Sequence, residues 1–211
     1  MNEELAKEIS RKDVDIDYYA NLVVKDKSIQ NDIVELTLNH PKVYYYGYNI
    51  LEKATEINPK IFYRHWEKFV KLLKHKNTYH REIGIVLLSN LSRVDKNDKF
   101  SEIVNEYLKC LYDDKISNAV YTAECLKDII KNKPEYLEKI ITELLQHRKK
   151  TFYNEKHEAL LEYGFLEIFE ENYSKLLNKE IISSFILDKK ESISSKTKKK
   201  SKELIKKYGF K

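Results

Sequence analysis

The chain has 211 residues, 35% of them charged and 42% hydrophobic, with only four glycines and three prolines. That is enough to bury a substantial core, too charged for a membrane-embedded chain, too apolar for a disordered one, and short of the turn residues an all-β sandwich needs. The net charge of +5 is unevenly placed: residues 189–211 hold ten lysines against two glutamates, while the other 188 residues hold 29 basic and 32 acidic side chains.

The amino terminus, MNEELAKEIS, is polar and acidic, and residues 1–27 are expected to form a helical cap before the main body. The longest apolar run, Ile83 to Leu88, is broken by Gly84 and far too short to cross a bilayer, so the expectation is a cytoplasmic, intracellular protein with no membrane span. Cys110 and Cys125 have no CxxC spacing and are expected to be reduced, space-filling thiols.

Ser28 is the expected cap of a helix over Ile29 to Leu38. The next stretch, HPKVYYYGYNILEKA, places Val43, Gly47, Ile50, Leu51 and Ala54 on one helical face. Tyr44, Tyr46 and Tyr48 fall on its shoulders, where a ring can be buried while its hydroxyl reaches the edge, and Tyr45 alone points away. Gly47 is expected to let a neighbouring helix approach closely.

The same arrangement recurs at Gly84 with Leu87, Leu88 and Leu91, at Ala123 with Leu126, Lys127 and Ile130, and less regularly at Leu161 with Gly164, Phe165 and Ile168. These centres lie 37, 39 and 38 residues apart. Between them run further amphipathic segments, Lys60 to His75, Phe100 to Tyr112 and Tyr136 to Leu145, two of them introduced by Asn58-Pro59 and Asn132-Lys133-Pro134. A period near 40 residues with two helical patterns per unit predicts an all-α protein, an α-α superhelix of about four helix pairs over residues 28–188.

The runs HPKVYYYGYNIL and NTYHREIGIVLL, the latter with Arg81 in the usual arginine slot, resemble HEAT repeats of the HEAT/armadillo superfamily. Tyr44 departs from that pattern, standing where the first copy would carry a basic residue. The resemblance implies that the second helix of each pair lines a concave face. On that expectation the face presents Tyr45, Asn49, Glu52 and Glu56; Glu82, Val86, Ser89 and Arg93; Tyr121, Cys125, Asp128 and Asn132; and Ala159, Tyr163, Leu166 and Glu170. Five acids face one arginine. Such a face repels nucleic acid phosphate and favours a basic or amphipathic peptide or partner helix, with tyrosines as anchors. The same side chains also suit the ordinary solvated face of a helix.

Chemistry-bearing motifs are not evident. The six histidines form no ligand set, with His75 and His80 flanking an inter-helix turn; there is no phosphate loop, nucleophile elbow or HExxH motif, and no cofactor or metal is expected. A HEAT-like DNA glycosylase fits poorly, because that family works through tryptophan, aspartate and arginine in a basic groove. Trp66 here lies on the apolar stripe of the other helix. The expectation is therefore a noncatalytic protein-interaction scaffold. The alternative is a nucleic-acid-binding accessory protein acting through a flexible basic tail over 189–211, with Lys196, Lys198, Lys199, Lys200 and Lys202 as its contacts.

Overall fold

The computed structural model describes residues 2–210, in which twelve α-helices pack against one another and no strand occurs among the described residues. Met1 and Lys211, in the expected cap and tail, lie outside the described residues. The chain divides into two compact units, with the boundary between Val104 and Asn105. No described helix is long and apolar enough to cross a membrane.

The first unit contains α1 (Glu3–Ile9), α2 (Ile16–Lys25), α3 (Lys27–Asn39), α4 (Tyr44–Ile57), α5 (Trp66–Leu72) and α6 (Thr78–Ser92); α7 (Phe100–Lys109) contains the boundary. Helix α4 packs on α2, α3 and α6, and α5 packs on α6. The expected stripe is buried: Val43, Ile50, Leu51 and Ala54 on α4, and Leu87, Leu88 and Leu91 on α6, are all shielded from solvent. Gly47 permits the close approach expected of it, since a Cβ there would run into Thr37 Oγ1 of α3. Gly84 does the same between α5 and α6, where a Cβ would lie 2.9 Å from Leu72 Cβ and 3.0 Å from the Phe69 carbonyl.

Local boundaries differ from expectation where a better cap competes. Helix α3 begins two residues earlier than predicted because Asp26, not Ser28, caps it: Asp26 Oδ1 accepts from the amides of Ser28 (2.7 Å) and Ile29 (3.1 Å). A carboxylate at a helix N-terminus also interacts favourably with the helix dipole. Pro59 opens a 3₁₀ turn, Pro59–His65, before α5, so the segment predicted as one helix is two. Of its expected apolar stripe, Phe62, Trp66, Phe69 and Leu73 are buried, while Ile61 and Val70 are half-buried.

The second unit contains α8 (Ile116–Asn132), α9 (Leu137–Lys150), α10 (Glu155–Asn172), α11 (Lys179–Asp188) and α12 (Ser195–Tyr208). Helix α10 packs on α8 and on α12, and α11 packs on α12. Leu126 and Ile130 of α8, and Leu161, Phe165 and Ile168 of α10, are buried as predicted.

The lysine-rich segment corrects the expectation of a flexible tail. It is a helix whose Ser194 cap accepts from Thr197 N at 3.3 Å and whose end is closed by Gly209 in the left-handed conformation, with Gly209 N and Phe210 N both donating to the Ile205 carbonyl. Thr197, Ser201 and Leu204 form a buried stripe at helical spacing. The two hydroxyls satisfy backbone carbonyls: Thr197 Oγ1 donates to Ala159 O at 2.5 Å, and Ser201 Oγ to Ile186 O at 2.6 Å. Composition concealed this, because a stripe built from Thr and Ser does not register as apolar.

Candidate functional site

The residues expected to line the partner face fall in both units. In the first unit, α4 starts without a side-chain cap and presents its tyrosines in the first turn. Tyr45 is 54% exposed, with Tyr46 packed edge-on at 5.1 Å. One turn further, Tyr48 hydroxyl donates to Glu52 Oε1 at 3.3 Å. Asn49 and Glu52 are half-buried and Glu56 is exposed.

Glu52 and Glu82 are electrostatically coupled across α4 and α6. Burial raises the Glu52 carboxyl above its ordinary value, the Tyr48 hydrogen bond pulls against that rise, and Glu56 adds to it. Glu82 is raised by burial and by the charge of Glu52. Neither carboxylate has a lysine or arginine partner among the described residues. Two like charges, partly desolvated and without a cation, form a site whose charge is uncompensated.

The other predicted members of this face divide. Arg93, the one predicted cation, is exposed but its guanidinium donates to the carbonyls of Glu56 (2.7 Å) and Thr55 (3.4 Å), so it caps the C-terminal end of α4. Val86 is only 7% exposed and Ser89 is buried; both are corrected from lining to packing residues. Helix α6 is apolar almost all round, and a helix of that kind is enclosed.

In the second unit Tyr121 (43% exposed) and Asp128 lie at the surface of α8, with Asn132 half-buried. Cys125 hydrogen-bonds with the fully buried Tyr107 hydroxyl, which burial pushes well above its ordinary range. On α10, Ala159 and Leu166 are buried, correcting their assignment to an open face. The cause is visible at Ala159, whose carbonyl receives the Thr197 hydroxyl of α12.

The remaining α10 residues show how such a face takes lysines. Lys196 Nζ lies 3.6 Å from the centroid of the Tyr163 ring. Lys200 and Lys207 reach Glu170 at 2.5 and 2.7 Å, and Lys127 of α8 reaches Glu167 at 2.5 Å. Glu170 is held below its ordinary value by the two lysine hydrogen bonds, which outweigh its burial. At Glu167 burial acts upward, but Lys127 and the Tyr163 hydroxyl bring the net shift below normal. The hydrogen bond to Glu167, then burial, raises the Tyr163 hydroxyl to about 12. The Tyr-x-x-x-Glu pair of α10 thus matches Tyr48 and Glu52 of α4, with one difference: the α10 acids are neutralised.

Of the five lysines predicted to contact nucleic acid, Lys196 and Lys200 are therefore turned onto α10, and Lys198 pairs with Glu191 at 2.7 Å. Lys199 and Lys202 face solvent, joined by Lys206, which the sequence reading did not single out.

A buried charged cluster in the second unit was not predicted. His147, fully buried, bonds Glu158 Oε1 through Nδ1 (2.8 Å) and the Leu111 carbonyl through Nε2 (3.0 Å), and stacks on Tyr112 at 4.5 Å. Nearby, Lys189 Nζ lies 2.5 Å from Glu162 Oε1, both side chains almost completely buried, in a contact off the hydrogen-bonding direction that charge holds together. Burial raises the Glu162 carboxyl despite this lysine. Spacing of four residues between Glu158 and Glu162 was the available signal, but nothing in the sequence distinguishes it from a solvated helix face. His75 and His80, expected only to flank a turn, have their rings stacked at 4.3 Å. Among the described residues no group of three or more His, Cys, Asp or Glu side chains is placed to hold a metal ion. Compared with protein-family models, curated proteins and solved structures, the chain gives no match.

Proposed function

We propose that the protein is a noncatalytic adaptor, a short HEAT-like helical solenoid, that binds a lysine-bearing amphipathic helix of another protein. Its docking surface is formed by Tyr45, Tyr48, Asn49, Glu52, Glu56 and Glu82 on α4 and α6. The observation that carries the reading is the contrast between the two tyrosine–glutamate pairs. Glu167 and Glu170 on α10 are met by lysines, two of them from α12, whereas Glu52 and Glu82 are partly buried without any cation. An uncompensated acidic pair beside exposed tyrosine is complementary to the chemistry α12 itself displays. The recurrence of centres every 37–39 residues supports the repeat reading, and α12 follows close to that period, its buried Thr197 and Ser201 lying 36 and 40 residues after Leu161.

The test uses a fluorescent peptide carrying residues 192–210 as a model lysine helix. Wild-type protein should bind it, and Glu52→Gln with Glu82→Gln should weaken binding at least tenfold, about 1.4 kcal/mol. Equal binding by wild type and the double variant would count against the site.

A further inference from the structure

The outer side of α12 carries charge that neither the fold nor the proposed docking surface uses. Lys199, Lys202 and Lys206 are exposed, lie at i, i+3 and i+7 along one face, and have no acidic partner within salt-bridge distance among the described residues. Lys198, half-exposed beside them, is paired with Glu191, a carboxylate that the charge of Lys202 also stabilises from beyond salt-bridge distance, and Glu203 is the acid on the same strip. Helical rise places the three free ammonium-bearing residues about 4.5 and 6 Å apart along the axis, a straight strip of roughly 10 Å. The helix beneath is fixed, capped at both ends and anchored by Thr197, Ser201 and Leu204.

We infer that this strip is a contact for the phosphate backbone of duplex nucleic acid, made by a rigid helix rather than by a mobile tail. A duplex presents one negative charge per about 1.7 Å of its axis, so a 10 Å lysine strip faces several phosphates, and releasing their condensed counterions drives association. A membrane surface is the weaker match. An interfacial helix binds by sinking its apolar side into the lipid, and the apolar side of α12 is already buried against α10 and α11. The strip also lacks aromatic side chains for base stacking, so the contact reads charge and not sequence.

The test compares wild type with Lys199→Gln/Lys202→Gln/Lys206→Gln and with a variant losing the same charge elsewhere on exposed lysines, Lys12→Gln/Lys60→Gln/Lys131→Gln. Glutamine keeps the helix, which circular dichroism verifies. Binding to a labelled 20-base-pair duplex is measured against salt, alongside binding to vesicles containing phosphatidylserine. The inference requires the strip variant to lose at least tenfold in duplex affinity at low salt and to flatten the log K against log salt slope by about 3, with the control variant close to wild type. Equal losses in the two variants, no duplex binding by wild type, or vesicle binding that exceeds duplex binding would each overturn it.

Discussion

Thr197 Oγ1 donates a 2.5 Å hydrogen bond to the carbonyl of Ala159, joining the lysine-rich helix to a position of α10 that sequence alone assigns to an open face. Both groups are buried, so neither can exchange the bond for water. Thr197→Val keeps the shape but leaves the Ala159 carbonyl with its helical hydrogen bond alone, and should cost about 0.5–1.5 kcal/mol. Leu204→Ala should cost about 2–5 kcal/mol through the cavity it leaves. Chemical denaturation measures both; unchanged midpoints would restore the flexible-tail description.

Gly47→Ala places a methyl group against Thr37 Oγ1, itself held by a 2.7 Å bond to the Ile33 carbonyl. The substitution raises intrinsic helix propensity, so without the collision it would stabilise α4. Overpacking instead predicts a loss of about 1–3 kcal/mol. Adding Thr37→Ala should recover part of that loss, a non-additivity that thermal unfolding of the four proteins detects.

Asp95 accepts from the amides of Lys99 and Phe100, each at 2.9 Å, and from the Tyr63 hydroxyl at 2.5 Å, tying the turn before α5 to the start of α7. Burial and this bond push the Tyr63 hydroxyl well up from its ordinary value. Asp95→Ala removes a cap and leaves those donors short of an acceptor, for a predicted loss of about 2 kcal/mol or more in equilibrium unfolding.

Glu52 and Glu82 predict a trade between stability and binding. Both carboxyls sit above their ordinary value of 4.5, so the folded state binds protons more readily than the unfolded one and their ionisation disfavours folding. Their contribution is most favourable below that value and is lost as pH rises through the higher folded values. Glu52→Gln/Glu82→Gln should therefore be more stable than wild type at pH 7, by about 0.5 kcal/mol given their partial exposure. That advantage should disappear by pH 4. Unfolding curves at the two pH values check the sign.

Much of the helical packing was legible because it rests on large side chains at a 3.6-residue spacing. Leu51, Leu88, Leu126 and Phe165 are each buried at the positions their periodicity assigns. Gly47 was legible too, since a glycine inside an apolar stripe implies a close neighbour. Burial carried by small polar residues, as at Thr197 and Ser201, leaves no apolar pattern in the sequence, and an adjacent helix covers a face that a wheel shows as outward, as at Ala159. Of the residues expected on the partner face, Tyr45, Glu56, Tyr121 and Asp128 lie at the surface, whereas Val86 and Leu166 are interior and Arg93 is engaged by the carbonyls of α4. The coupling of Glu52 to Glu82 depends on how α4 and α6 pack, which no single-helix pattern contains.

The most direct measurement is a charge-swap cycle. The 192–210 peptide and a version with its lysines changed to glutamate are each titrated against wild type and against Glu52→Lys/Glu82→Lys by calorimetry. Docking on the acidic pair predicts that each single reversal abolishes binding and that the doubly reversed combination recovers it. Wild type and the reversed protein binding the lysine peptide with the same affinity would contradict the proposed site.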